Sequence, residues 1–230
     1  MKTIGLIGGM SWESSAEYYR MINRHSKALH GGHHNAKSVL VTVDFAEIEA
    51  LQRAQDWAAL GERMADAARQ LEAAGADLVV LTTNTMHRVH AAIEAAVALP
   101  FLHIADPTGA ALRAAGVERV ALLGTRYTME LPFYAARLRD KFGLDVLVPD
   151  ESARNDVHRI IYDELCHGVI DAGSRATYVA IIDELAKRGA QAVILGCTEI
   201  TLLIGADDSP LPVFDTTALH AKAAVEWAAG

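Results

Sequence analysis

The sequence predicts an α/β protein built from two pseudo-symmetric domains, each a mainly parallel sheet flanked by helices. Three observations lead there. Short apolar runs alternate with longer stretches that carry apolar residues at helical spacing, the pattern of a parallel sheet covered by helices. Local sequences recur about half a chain apart. The turns after the recurring runs are small and polar, and open parallel sheets bind ligands outside the carboxyl ends of their strands.

The apolar runs are Thr3–Ile7, Ser38–Asp44, Asp77–Leu81, Arg119–Leu123, Asp145–Val148 and Gln191–Leu195, each short enough to be a buried strand. Trp57–Ala74 and Tyr178–Arg188 read as helices, and each stops at a glycine, Gly75 or Gly189, suited to a C-terminal cap. Cys166 closes a further helical pattern, Ile160–Cys166, where it is expected to pack. His25, His30, His33 and His34 cluster in a Gly-rich stretch without a Cys or acidic partner to complete a metal site, so a solvated loop is expected.

The repeat has three parts. Gly75–Thr85 and Gly189–Glu199 match residue for residue 114 positions apart (75 to 189, 83 to 197), which sets Thr83 against Cys197. Ile4–Gly8 resembles Val120–Gly124 at an offset of 116 (4 to 120), and the same offset pairs Tyr18 with Tyr134 and Ile22 with Leu138. Leu99-Pro100-Phe101 and Asp106-Pro107-Thr108 echo Leu211-Pro212-Val213 and Asp215-Thr216-Thr217. Two facing halves would bring four turns to one cleft: Gly8–Ser11, Thr82–Thr85, Gly124–Tyr127 and Gly196–Glu199.

Composition narrows the function. The 230 residues are 51% hydrophobic, enough for a substantial core. With 29 acidic and 21 basic side chains the net charge is −8, which disfavours nucleic acid, since binding phosphate needs a basic face. The two cysteines form no metal or redox pair, no apolar run approaches the ~20 residues that span a bilayer, and the N-terminus reads as a strand and not as a signal peptide. A cytoplasmic protein without metal, membrane or nucleic-acid partners is the expectation.

Cys197 follows a strand and a glycine and precedes a short helix, where free N–H groups would lower its pKa and favour a thiolate. Asn84, Thr85, Thr125 and Thr198 supply donors for a substrate carboxylate, and Glu199 a counter-charge for an ammonium group, although its charge works against thiolate formation. Gly8-Gly9 lacks the rest of a dinucleotide or P-loop motif, so close backbone approach to a small ligand is the expected role of that turn. His87 lies where it could orient the cleft or serve structure alone. No lysine lies in these turns, so a pyridoxal phosphate Schiff base is not indicated.

At these residues the chain resembles the cofactor-independent aspartate/glutamate racemases over nearly its whole length. Gly5–Ser11, including Met10 and Ser11, is similar to that family's opening turn. Thr83-Asn84-Thr85-Met86-His87 is similar to its Cys-Asn-Thr segment, and Gly196–Glu199 to its second Gly-Cys-Thr. The resemblance implies two similar domains about a pseudo-twofold axis, residues 1–99 with 212–230 and residues 100–211, with the active site between them and a homodimeric assembly.

It also implies an isomerase that racemises an acidic amino acid with no cofactor, one cysteine removing the α-proton and another returning one. Here the first cysteine is Thr83. A hydroxyl is too weakly acidic to stand in for a thiolate base near pH 7, so the resemblance predicts that Cys197 deprotonates L-substrates and that D-substrates react slowly. Gln52, Arg53 or Arg126 would meet the distal carboxylate, and whether aspartate, glutamate or a broader range is preferred stays open. Two other readings are a non-catalytic amino-acid binding protein and a single-cysteine decarboxylase of the arylmalonate type.

Overall fold

The computed structural model describes residues 1–230, and they form two compact units, Met1–Ile104 with His220–Gly230, and Ala105–Leu219.

Unit 1 begins with β1 (Ile4–Gly8), α1 (Trp12–His30), β2 (Ser38–Thr42), α2 (Phe45–Arg53), α3 (Trp57–Ala73) and β3 (Leu78–Leu81). A 3-10 turn over Thr85–Val89, α4 (His90–Ala96) and β4 (Phe101–Leu102) follow. Its sheet is parallel throughout, in the order β2-β1-β3-β4. The two central strands, β1 and β3, are buried at every position, which is why they read as apolar runs and not as alternating patterns. Ile4, Leu6, Leu78 and Val80 point to one side, against Tyr18 and Ile22 of α1 and the C-terminal residues Ala221, Ala224, Val225 and Ala228. Ile7, Val79 and Leu81 point to the other, against Ile48, Leu60, Met64 and Leu71 of α2 and α3. Each such leucine or isoleucine contributes about 1.5–3 kcal/mol by leaving water.

Unit 2 runs through α5 (Ala105–Ala114), β5 (Arg119–Gly124), α6 (Arg126–Glu130), α7 (Pro132–Phe142), β6 (Asp145–Leu147) and α8 (Glu151–Arg159). A π-helical turn over Ile160–Glu164 and a 3-10 turn over Leu165–His167 lead to α9 (Ala172–Lys187), β7 (Ala192–Gly196), α10 (Ile200–Leu203), β8 (Val213–Asp215) and α11 (Thr216–Ala229), whose later part belongs to unit 1. The sheet order, β6-β5-β7-β8, repeats that of unit 1. Ala121, Leu123, Val193 and Leu195 pack with Val157, Tyr178, Ile182 and Leu185 from α8 and α9.

The repeat extends to the hydrogen-bond register. Ile4↔Leu78 in the first sheet becomes Val120↔Ala192 in the second, and Val79↔Phe101 becomes Val193↔Val213. The Val79 and Val193 amides donate over 2.9 Å to the Pro100 and Pro212 carbonyls respectively. Gly75 and Gly189 follow α3 and α9 at φ +83° and +93°, and the next amides, Ala76 and Ala190, reach back to the Leu71 and Leu185 carbonyls at 3.0 Å, as a left-handed helix end requires.

Four expectations change. The two short strands β4 and β8 are additional to the six apolar runs. Because each pairs within its own sheet, the chain passes between units after the fourth strand, at 104/105 and 219/220, and not before it at 99/100 and 211/212. The same pairing sets the third echo at an offset of 112 (101 to 213), so Asp215 corresponds to His103 and not to Asp106. His25 and His30 lie in α1, with His33 and His34 exposed after it.

Candidate active site

In unit 1, Ile7 and Leu81 are ladder partners, so the turn after β1 lies beside the turn after β3. Gly9 has φ +93°, and a Cβ there would fall 2.2 Å from the Val43 carbonyl oxygen, so only glycine fits the first turn. Ser11 caps α1, its Oγ accepting from the Ser14 amide at 3.3 Å. Ser15 Oγ accepts from the Gly9 amide at 2.8 Å and donates to the Ser11 carbonyl at 3.0 Å, while Ser14 Oγ donates to the Thr82 carbonyl at 2.8 Å. These bonds tie the two turns together.

Thr83 is partly exposed, whereas Asn84, Thr85, Met10 and Ser11 are buried. Gln52 is buried too, its Nε2 donating to Met86 Sδ at 3.3 Å, so α2 is joined to the Thr83–Met86 segment. Arg53 is directed elsewhere: it is exposed and paired with Glu49 on its own helix.

His87 is completely buried under this turn. Its Nδ1–H donates to the Thr83 carbonyl at 2.8 Å and its Nε2 accepts from the Ile104 amide at 3.1 Å. Two fixed partners of opposite kind leave only the neutral tautomer. Burial, followed by the nearby His103 and His220 rings, holds its pKa well below the ordinary histidine value. His220 is fixed likewise, Nε2–H donating to the Leu102 carbonyl and Nδ1 accepting from the Tyr18 hydroxyl, both at 2.9 Å. The buried histidine group was not legible as one, because its members are scattered from residue 87 to residue 220.

In unit 2, Gly124 and Gly196 are ladder partners at the carboxyl ends of β5 and β7, so Thr125 and Cys197 each stand one residue beyond a paired position. Thr125 caps α6, accepting from the Thr128 amide at 3.3 Å. Thr198 shares a 2.8 Å hydrogen bond with Thr217, both hydroxyls being buried. Cys197 is partly accessible, and its thiol donates to Glu199 Oε2 at 2.9 Å.

The electrostatics of Cys197 overturn one expectation. Burial first, and then the Glu199 carboxylate, push the thiol well above its ordinary pKa. The helix meant to favour a thiolate, α10, has only four residues and starts three positions later, so its dipole cannot outweigh a carboxylate in hydrogen-bond contact. At rest the sulfur is a protonated thiol.

Cys166 lies in the 3-10 turn after the π-helical stretch, partly exposed and packed against the same core as Cys197. Another residue missed from sequence is His158 of α8, whose Nδ1 accepts from the Arg126 amide at 3.3 Å.

The fold agrees with comparison to known proteins. The family model for Asp/Glu/Hydantoin racemase matches residues 7–224. The chain belongs to this family. Within it, a candidate Asp/Glu racemase from Yersinia pestis shares 53% identity over all of both chains at a TM-score of 0.94. An aspartate racemase homologue from Pyrococcus horikoshii shares 32%, again over both complete chains, at 0.87. The broad specificity amino-acid racemase RacX of Bacillus subtilis is 23% identical over 96% of each chain. Membership of the Asp/Glu/Hydantoin racemases makes this chain an isomerase by family and fold, and none of its helices is long and apolar enough to cross a membrane.

Proposed function

We propose that the protein exchanges the α-proton of acidic amino acids, aspartate and glutamate, without a cofactor, and that Cys197 carries the exchange with a kinetic preference for L-substrates. The observation that supports this most directly is the 2.9 Å hydrogen bond from the Cys197 thiol to the Glu199 carboxylate, in a turn lined by threonine hydroxyls. A thiol held above its ordinary pKa needs an acceptor before it can act as a base, and Glu199 is that acceptor. The thiol proton passes to Oε2, the thiolate takes the α-proton, and the S–H bond forms again as the C–H bond breaks. The hydroxyls of Thr125 and Thr198 stabilise charge developing on the substrate carboxylate.

Thr83 occupies the position where the family resemblance expects the other acid–base thiol. Its hydroxyl cannot serve as a base near neutral pH, though it can pass on a proton from water. The asymmetry lies in rates, because a catalyst leaves the equilibrium between free enantiomers at one.

Incubation with each enantiomer of aspartate and glutamate in deuterium oxide tests the proposal. Deuterium should enter the α-position of the L-substrates, and Cys197→Ser should abolish its entry while the thermal transition is kept. Absence of label from both L-substrates overturns it. Tight binding without label would then indicate a binding protein, and carbon dioxide release from disubstituted malonates a decarboxylase.

A further inference from the structure

The unit 2 turn carries a cation that no carboxylate neutralises. Arg126 is two residues beyond Gly124, whose ladder partner Gly196 precedes Cys197, so the arginine and the thiol share one end of one sheet. The basic side chains on the neighbouring helices are occupied. Arg154 is paired with Glu130, Arg159 with Glu164 and Lys187 with Glu184, while Arg175 donates to the Leu203 carbonyl. Arg126 enters none of the ion pairs of the structure, although it is one of the exposed residues of its turn.

The backbone of Arg126 is nevertheless fixed. Its amide donates to His158 Nδ1, and that ring is bracketed by Tyr127 at 6.0 Å, edge-on, and Tyr162 at 4.7 Å. Burial and the positive charge of Arg126 keep His158 below the ordinary histidine pKa, against the opposite pull of Asp163 and Glu130, so the acceptor lone pair on Nδ1 is retained. A fixed backbone beneath an unpaired guanidinium is how a protein orders an anion site without neutralising it in advance.

We infer that Arg126, positioned by His158, receives the second carboxylate of the substrate and thereby selects dicarboxylic amino acids over their neutral amides. The inference rests on the proposed role of Cys197, because it is the turn beside that thiol which is being read. Arg126 touches the substrate and His158 acts through Arg126.

The test compares kcat and KM for α-deuterium exchange of L-glutamate and L-glutamine in wild type, Arg126→Gln, Arg126→Lys, His158→Phe and His158→Asn. Arg126→Gln should raise KM for glutamate on the order of 10- to 100-fold, the loss of a charge-assisted pair, and leave that for glutamine nearly unchanged. Arg126→Lys should recover part of the difference. His158→Phe should shift glutamate KM in the same direction with little change in kcat, and His158→Asn, whose Oδ1 can accept the same amide, should restore it. Equal KM changes for the two substrates, or none, overturn the inference. If the wild type exchanges neither substrate, the Cys197 proposal fails by itself, and glutamate binding measured by calorimetry decides on Arg126: equal Kd in wild type and Arg126→Gln refutes it.

Discussion

Glu199 accepts the Cys197 thiol proton in a 2.9 Å hydrogen bond, and the same carboxylate opposes ionisation of that thiol. Burial contributes most to the raised thiol pKa, and Glu199 adds to it while also being the acceptor to which the proposed mechanism passes the proton. Glu199→Gln removes the opposing charge and the strong acceptor together, so the thiol pKa should fall. Alkylation by iodoacetamide followed against pH checks this, with an expected gain in rate of about tenfold for each unit of pKa lost, at pH values where the thiol predominates. An unchanged profile would mean that burial alone sets the ionisation.

Thr83 is the partly exposed member of an otherwise buried turn, so substitution there leaves the packing intact. Thr83→Cys supplies the missing thiol and should add α-deuterium exchange from D-aspartate or D-glutamate. Its thermal transition should stay within a few degrees of wild type, since surface changes cost about 0.5 kcal/mol or less. No gain with D-substrates would separate Thr83 from the chemistry.

The buried histidines predict an acid limit to stability. His87 has its folded pKa depressed, so it is neutral in both states above the unfolded value of about 6.5, while below that value only the unfolded chain takes up the proton. Stability is therefore present above about pH 6.5 and declines as pH falls towards the lower folded pKa, with a limiting slope of about 1.4 kcal/mol per pH unit for one group. Urea unfolding at a series of pH values checks this, and His87→Gln should flatten the dependence.

Gly9→Ala should be among the most damaging small changes. The new Cβ meets a backbone carbonyl at 2.2 Å, and a positive φ adds strain of roughly 1–3 kcal/mol to the cost of moving Val43. Thermal unfolding should show the loss, with an added drop in exchange rate because Met10 and Ser11 continue the same turn.

Much of this was legible in the sequence for a physical reason. Strands buried on both faces must be apolar at every position, so β1, β3, β5 and β7 stand out as runs. The matching offsets were legible because the two sheets share a register. Strands β4 and β8 were not, since two or three half-buried residues make no periodic pattern. The third echo slipped by three residues because Asp106 and Asp215 look alike, whereas the ladder aligns Asp215 with His103. For Cys197 the sequence offers two opposed influences, a helix end and the Glu199 carboxylate. The structure decides between them, because burial and hydrogen-bond contact with Glu199 both raise the thiol pKa. Tyr18 and Tyr134 are both completely buried, but the partner of Tyr18, His220, lies 202 residues distant and no local pattern connects them.

The passage of α11 from one unit to the other sets an order of assembly during translation. Residues 105–219 leave the ribosome as an uninterrupted stretch holding everything their own core needs, whereas the first 104 must wait for 220–230 before Ala221, Ala224, Val225 and Ala228 can cover Ile4, Leu6 and Tyr18. The half that is synthesised first is thus the last to close, and a nascent chain stalled before residue 220 would carry an uncovered apolar sheet face, a ready target for holdase chaperones.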